Sequence, residues 1–90
     1  MFSITLKNDV TVTQIDGRTV LFSKRKGDFF GLNDSAFELF SRLQAKNFDV
    51  VVEEAAAAYQ VDPKIIREDL QSLVDELEKK RLIERVVTTK

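Results

Sequence analysis

From Val10 to Leu32 polar and apolar side chains alternate in short runs, and from Asn33 to Arg81 apolar positions recur every three or four residues. Val10-Thr11-Val12-Thr13-Gln14-Ile15 has period two, with Val10, Val12 and Gln14 on one face and Thr11, Thr13 and Ile15 on the other. Asp16-Gly17 has the composition of a two-residue type I′ turn, after which Arg18-Thr19-Val20-Leu21-Phe22-Ser23 resumes as a β-rich run. Lys24-Arg25-Lys26-Gly27 forms a second turn, and Asp28-Phe29-Phe30-Gly31-Leu32 a third short strand. Two tight turns predict a three-stranded antiparallel meander. Ser3 to Lys7 fits either an irregular lead-in or a further strand.

The period then changes. Asn33-Asp34-Ser35 offers three successive N-cap residues, and Ser35 with Glu38 has capping-box spacing. Ala36, Leu39, Phe40 and Leu43 follow at helical spacing, so a first helix should end near Ala45-Lys46. A second covers about Asp49 to Gln60, and its run Ala55-Ala56-Ala57-Ala58 allows close approach by neighbours. Asp62-Pro63 is a capping side chain followed by proline at the first helical position. The third helix carries Ile66, Leu70, Leu73 and Leu77 as its apolar stripe and reaches about Arg81. Leu82 to Val87 fits a terminal strand or an ordered tail. With no repeat or low-complexity linker, the expectation is one α+β domain over residues 1–90, a three-stranded meander followed by three helices in a winged-helix-like arrangement.

Composition removes most catalytic chemistry. The 90 residues include no cysteine and no histidine, which excludes a Cys/His zinc site, a thiol nucleophile, a Ser-His-Asp triad and a disulfide framework. Glu53 and Glu54 are adjacent, but neighbours on a helix diverge by about 100° and do not flank one substrate. Asp69 and Glu76 lie two turns apart, and three glycines build no phosphate-cradling loop. A recognition domain without catalytic residues, metal or cofactor is the better reading. The N-terminus lacks the features of a signal peptide, and no apolar run approaches the ~20 residues that span a bilayer, so cytoplasm is the expected location.

A helix-turn-helix within such a fold raises DNA binding as the rival function. The net charge is −1, from 14 Lys+Arg against 15 Asp+Glu. The helix that would enter a groove is acidic in its middle, with Glu68, Asp69, Asp75 and Glu76. Lys24-Arg25-Lys26 could touch phosphate, but three charges on a hairpin tip are more often a solvated turn. Neither nucleic acid nor a membrane is an expected partner.

The segment Lys26-Gly27-Asp28-Phe29-Phe30-Gly31-Leu32-Asn33 resembles the aromatic-aromatic-x-Leu-Asn segment of PqqD-like proteins, which include the peptide-recognition elements of ribosomally made, post-translationally modified peptide pathways. Tyr59-Gln60-Val61-Asp62-Pro63 is similar to that family's Tyr-x-Val-Asp junction. Arg67-Glu68-Asp69-Leu70, Leu73-Val74-Asp75-Glu76-Leu77 and Arg81-Leu82-Ile83-Glu84 continue the likeness, with Arg81 standing where glycine is common. The match runs from about Val10 to Glu84. It implies a non-catalytic domain that binds the leader of a precursor peptide as a strand added to the third strand, beside the third helix. It also implies a partner enzyme, either a radical S-adenosylmethionine enzyme or a leader-cleaving protease of a lasso-peptide pathway. The length suits a discrete chaperone-like protein, a monomer or a weak dimer paired edge to edge.

On that reading the candidate peptide-binding residues are Asp28, Phe29, Phe30, Gly31, Leu32, Asp69, Leu73 and Glu76. Alternation puts Phe30 and Leu32 toward the core and leaves Phe29 and Gly31 on the other face, with Phe29 either an exposed leader contact or, as the commoner reading of either ring, a core residue. Gly31 either admits a second backbone or marks a bulge or kink. Asp69, Leu73 and Glu76 form one ridge of the third helix; the alternative for the two carboxylates is a solvated face with Glu76 paired to Lys80.

Overall fold

The alternation of the first third becomes a sheet whose inner face is buried along β3, at Val10 and at Leu32, while Val12 and Gln14 at the outer end of β2 stay exposed. In the computed structural model, which describes residues 2–87, the chain runs β1 (Phe2–Leu6), β2 (Val10–Ile15), β3 (Arg18–Ser23), β4 (Phe29–Leu32), α1 (Asp34–Ala45), α2 (Phe48–Tyr59), α3 (Pro63–Lys79) and β5 (Ile83–Val87). The expected meander is β2-β3-β4, in that order, with continuous antiparallel registers and no bulge. Asp16 and Gly17 both take positive φ, 53° and 79°, as a type I′ turn requires. The inward row holds Val10, Thr19, Leu21, Ser23 and Leu32, all buried against the helices.

The two segments left open by the sequence are strands, each the other's partner. β1 and β5 pair antiparallel from Phe2↔Val87 to Leu6↔Ile83, and Ile4 and Ile83 enter the core. Phe2 stacks on Phe48 of α2 with ring centroids 5.1 Å apart. Arg85 lies 4.4 Å over the Phe2 ring and Arg67 lies 5.6 Å over Phe48. Glu78 of α3 holds Arg85 at 2.7 Å and Asp75 adds a contact at 3.4 Å. This column of rings and guanidinium groups ties the second sheet to α2 and α3.

Helix starts follow the capping chemistry, with one correction. Asn33, not Ser35, caps α1: its Oδ1 accepts the Ala36 N–H at 2.7 Å, and Ser35 falls inside the first turn. Glu38 therefore leaves the capping box and accepts instead from the Tyr59 hydroxyl of α2. Asp62 caps α3 by accepting the Lys64 N–H at 2.9 Å, with Pro63 first in the helix. The buried stripe of α3 is Ile66, Leu70, Val74 and Leu77, whereas Leu73 is half-buried at its border. The shift has a cause: α2 covers the flank carrying Arg67, which reaches Asp49 at 2.9 Å, and that flank takes Val74 inward with it.

The end of α3 shows what a glycine would do at position 81. Arg81 sits in the left-handed region at φ 59°. Its N–H bonds the Glu78 carbonyl at 2.9 Å, and the Leu82 N–H bonds the Leu77 carbonyl at 2.9 Å, closing the helix with buried Leu82 against buried Leu77. In this paired-bond terminus glycine is the usual occupant, and a side chain there costs on the order of 1 kcal/mol.

Leu32→Ala should lower stability by about 2–5 kcal/mol, whereas Phe29→Ala on the outer face should change it little. Urea unfolding of both variants checks this, and equal midpoints would place β4 the wrong way round. A second expectation concerns pH. The buried Ser23 hydroxyl donates to Asp9 Oδ2 at 2.9 Å, and that hydrogen bond holds the Asp9 carboxyl below its ordinary value. A carboxyl depressed by folding stabilises above its unfolded pKa and loses that contribution as pH falls through its folded one. Ser23→Ala should therefore be less stable than the parent at neutral pH. The gap should narrow below about pH 3.9, where unfolded aspartate takes up its proton. Thermal melts across that range would show the gap constant if Asp9 were not involved.

Candidate functional site

The chemistry-bearing feature of this molecule is backbone. β4 is an edge strand: β3 pairs with one side of it, and among the described residues no strand pairs with the other. The Ser23 N–H donates to the Asp28 carbonyl at 2.8 Å, and antiparallel ladders alternate, so Asp28, Phe30 and Leu32 turn their backbone groups toward β3. The N–H and C=O groups of Phe29 and Gly31 consequently point off the sheet. Period two couples this to the side chains. Leu32 is buried and Phe30 half-buried, while Phe29 is 69% exposed. The residues with free amides are thus the residues whose side chains face out.

Both outward positions are open. A β-carbon at Gly31 would meet nothing within 4 Å, and Gly31 pairs with Val20 in regular register, so this glycine marks neither a bulge nor a kink. A recess of about 540 Å³ opens beside Gly31, Leu32, Asn33 and Asp34. On the outer face Phe29 lies opposite Phe22 and next to Val20, with Thr11, Thr13 and Ile15 of β2 beyond them. Phe22, Phe29 and Ile15 are all exposed there.

The third helix supplies the inner wall. Leu73 and Phe30 pack on the same core cluster. Lys80 Nζ lies 5.9 Å from the Phe30 ring centroid, so the α3 flank bearing Lys80 is the one toward β4. Asp69, Leu73 and Glu76 share that flank at helical spacing, and Asp69 stands about 16 Å along the axis from Lys80, roughly the length of a five-residue strand. The opposite flank is occupied, with Arg67 on Asp49 and Asp75 and Glu78 on Arg85. The carboxylates of Asp69 and Glu76 are exposed and make no hydrogen bond or ion pair among the described residues. Glu76 is not paired to Lys80, because the ammonium sits over Phe30 instead. Lys80, which the sequence did not single out as a site residue, joins this flank, four residues after Glu76 and seven after Leu73.

Carboxylates with perturbed titration lie elsewhere and are explained by the fold. Lys46, at 2.7 Å, holds the Glu54 carboxyl below the usual range, and Arg42 at 3.3 Å assists. The Tyr59 hydroxyl does the same for Glu38, and its own pKa is raised in return. Glu53 and Glu54 form no reactive pair, since Glu54 is engaged with α1 and the turn after it. Among the described residues no group of acidic side chains is arranged to hold a metal ion, and no helix is long and apolar enough to cross a membrane.

Comparison with known proteins follows the same lines. No curated protein matches the chain in sequence. Among solved structures, one described as lasso peptide synthetase B1 complexed with the leader peptide superposes with a TM-score of 0.84 at 25% identity, over 91% of this chain and 98% of that one. A second, TbiB1 in complex with the TbiA(beta) leader peptide, superposes with a TM-score of 0.79 at 27% identity, over 93% and 99% of the two chains. The family profile described as coenzyme PQQ synthesis protein D matches residues 18–83, which take in β3, the open edge of β4, all three helices and the first residue of β5. This chain belongs to the PqqD family.

Proposed function

We propose that this chain binds the leader segment of a ribosomally made precursor peptide as a strand added to β4, and presents it to a modifying or leader-cleaving enzyme without doing chemistry itself. The observation that carries the reading is the pair of outward backbone positions, Phe29 and Gly31, on an edge that the inward burial of Leu32 and Phe30 holds in one register. An added strand completes those donors and acceptors, which gives affinity largely independent of the leader's sequence. Its alternate side chains fall on two surfaces. Those directed outward pass over the space at Gly31, beside Phe29, Phe22 and Val20. Those directed inward meet Phe30, Leu73 and Lys80, with Asp69 and Glu76 available to basic leader residues.

Both solved structures similar to this chain contain a leader peptide, which supports this reading over a duplex-binding one. The acidic face of α3 also opposes a phosphate backbone. In the absence of leader, two copies of β4 can pair edge to edge, so a weak dimer is the competing state.

Phe29→Pro and Gly31→Pro each delete an N–H that points off the sheet, at positions where an edge strand tolerates proline. Each should weaken leader binding roughly tenfold while the folded amide spectrum persists. Phe30→Pro removes a bond to β3 and should unfold the meander. The readout is an amide NMR titration with the N-terminal half of the precursor encoded beside this gene. Shifts should concentrate on residues 29–32 and on the flank of α3 that carries Leu73 and Lys80. Unchanged affinity in both edge variants would place the peptide elsewhere.

A further inference from the structure

Cations gather at the start of β4, and the fold uses few of them. Arg25 and Lys26 from the β3–β4 turn, Lys7 from the end of β1 and Arg81 from the end of α3 line a recess of about 120 Å³ with Asp9 and Ser23. Lys7 is engaged with Glu84 at 3.4 Å, and Asp9 accepts from Ser23 and lies close to Arg25. Lys26 and Arg81 have no ion-pair partner among the described residues, nor does Lys80, whose ammonium sits over Phe30. The recess lies near the start of β4: Lys26 precedes Asp28 by two residues, and Lys80, next to Arg81 in the chain, reaches the Phe30 ring of β4.

Arg81 supplies a second, independent observation. Its backbone holds the left-handed conformation that glycine adopts without cost, yet the residue there is an arginine, and it lines the recess. Retained backbone strain of this kind points to a use for the side chain. An exposed guanidinium and ammonium beside a carboxylate-sized recess match acidic side chains, to which arginine donates in a fixed fork.

We propose that this recess receives Asp or Glu side chains of the leader that flank its strand-forming segment, so that leader choice is set by charge at the start of β4 as well as by strand pairing. The inference rests on strand addition to β4. It names a specificity site that pairing alone does not supply: the backbone of β4 accepts many sequences, and the cations admit those with acidic residues at one end. Nucleic acid fits the same cations less well, because Glu68, Asp69 and Glu76 line the approach along α3.

The test uses the leader of this chain's own precursor peptide in two synthetic forms, native and with every Asp and Glu replaced by Asn and Gln. Calorimetric titration against the full chain should show the native peptide binding at least tenfold tighter, with that advantage shrinking as salt rises from 50 to 500 mM, values chosen to bracket a roughly 10 Å screening length. Arg81→Gly should lose most of the advantage while its melting temperature rises, and Arg81→Lys should keep much of it. Opposite signs on binding and stability separate this site from a merely structural role. Equal affinity for the two peptides would overturn the acidic-recognition proposal and leave strand addition standing. A leader without acidic residues beside its strand would do the same. Failure of both forms to bind would remove strand addition and this site together. Binding of a 20-base-pair duplex that Arg81→Gly abolishes would assign the cations to nucleic acid instead.

Discussion

Everything in this molecule depends on which way β4 faces. Leu32 and Phe30 enter the core with Leu21 of β3, and period two then obliges Phe29 and Gly31 to present their side chains to solvent and their amides to empty space. A slip of one residue would bury Phe29, expel Leu32 and turn the free amides toward β3. Hydrophobic burial therefore aims hydrogen-bonding groups that it never touches. The buried ends of α1 and α3 matter for the same reason, since they hold the surface against which β4 registers.

The division of labour along α3 extends this logic. One flank is spent on structure, through Arg67 with Asp49 and through Asp75 and Glu78 with Arg85. The flank toward β4 carries Asp69 and Glu76 without partners and Leu73 only half covered. A helix that stabilised the fold with both flanks would leave nothing for a ligand. Here α2 and the second sheet absorb the charges of one side, so the other side can stay unsatisfied.

What the sequence revealed and what it hid separate by range. The meander, the Asp16-Gly17 turn and the Asp62-Pro63 start of α3 depend on neighbours within a few residues, and all were legible. The outward Phe29 was only partly legible: alternation set its face, but a phenylalanine in a short strand reads more readily as core, and the structure leaves it exposed. β1 and β5 were not, since each segment alone is too short to declare itself and its partner lies at the far end of the chain. The exchange of Leu73 for Val74 in the buried stripe depends on where α2 packs, which no pattern within α3 records. Asn33 and Ser35 were equivalent as caps until the helix start chose between them. The position of Arg81 was noticed as a departure from glycine, but its left-handed backbone shows why the departure matters.

The pairing of β1 with β5 also governs the order in which the molecule can be made. Turns and helices form as they leave the ribosome, whereas β1, synthesised first, waits for the last strand before it has a partner. Closing so long a loop is slow relative to hairpin formation. Until then Ile4 stays uncovered, and the free edge of β4 stands beside an incomplete core, where unpaired strands tend to find one another. The last contact to close thus joins the first and last strands, apart from the edge proposed for recognition.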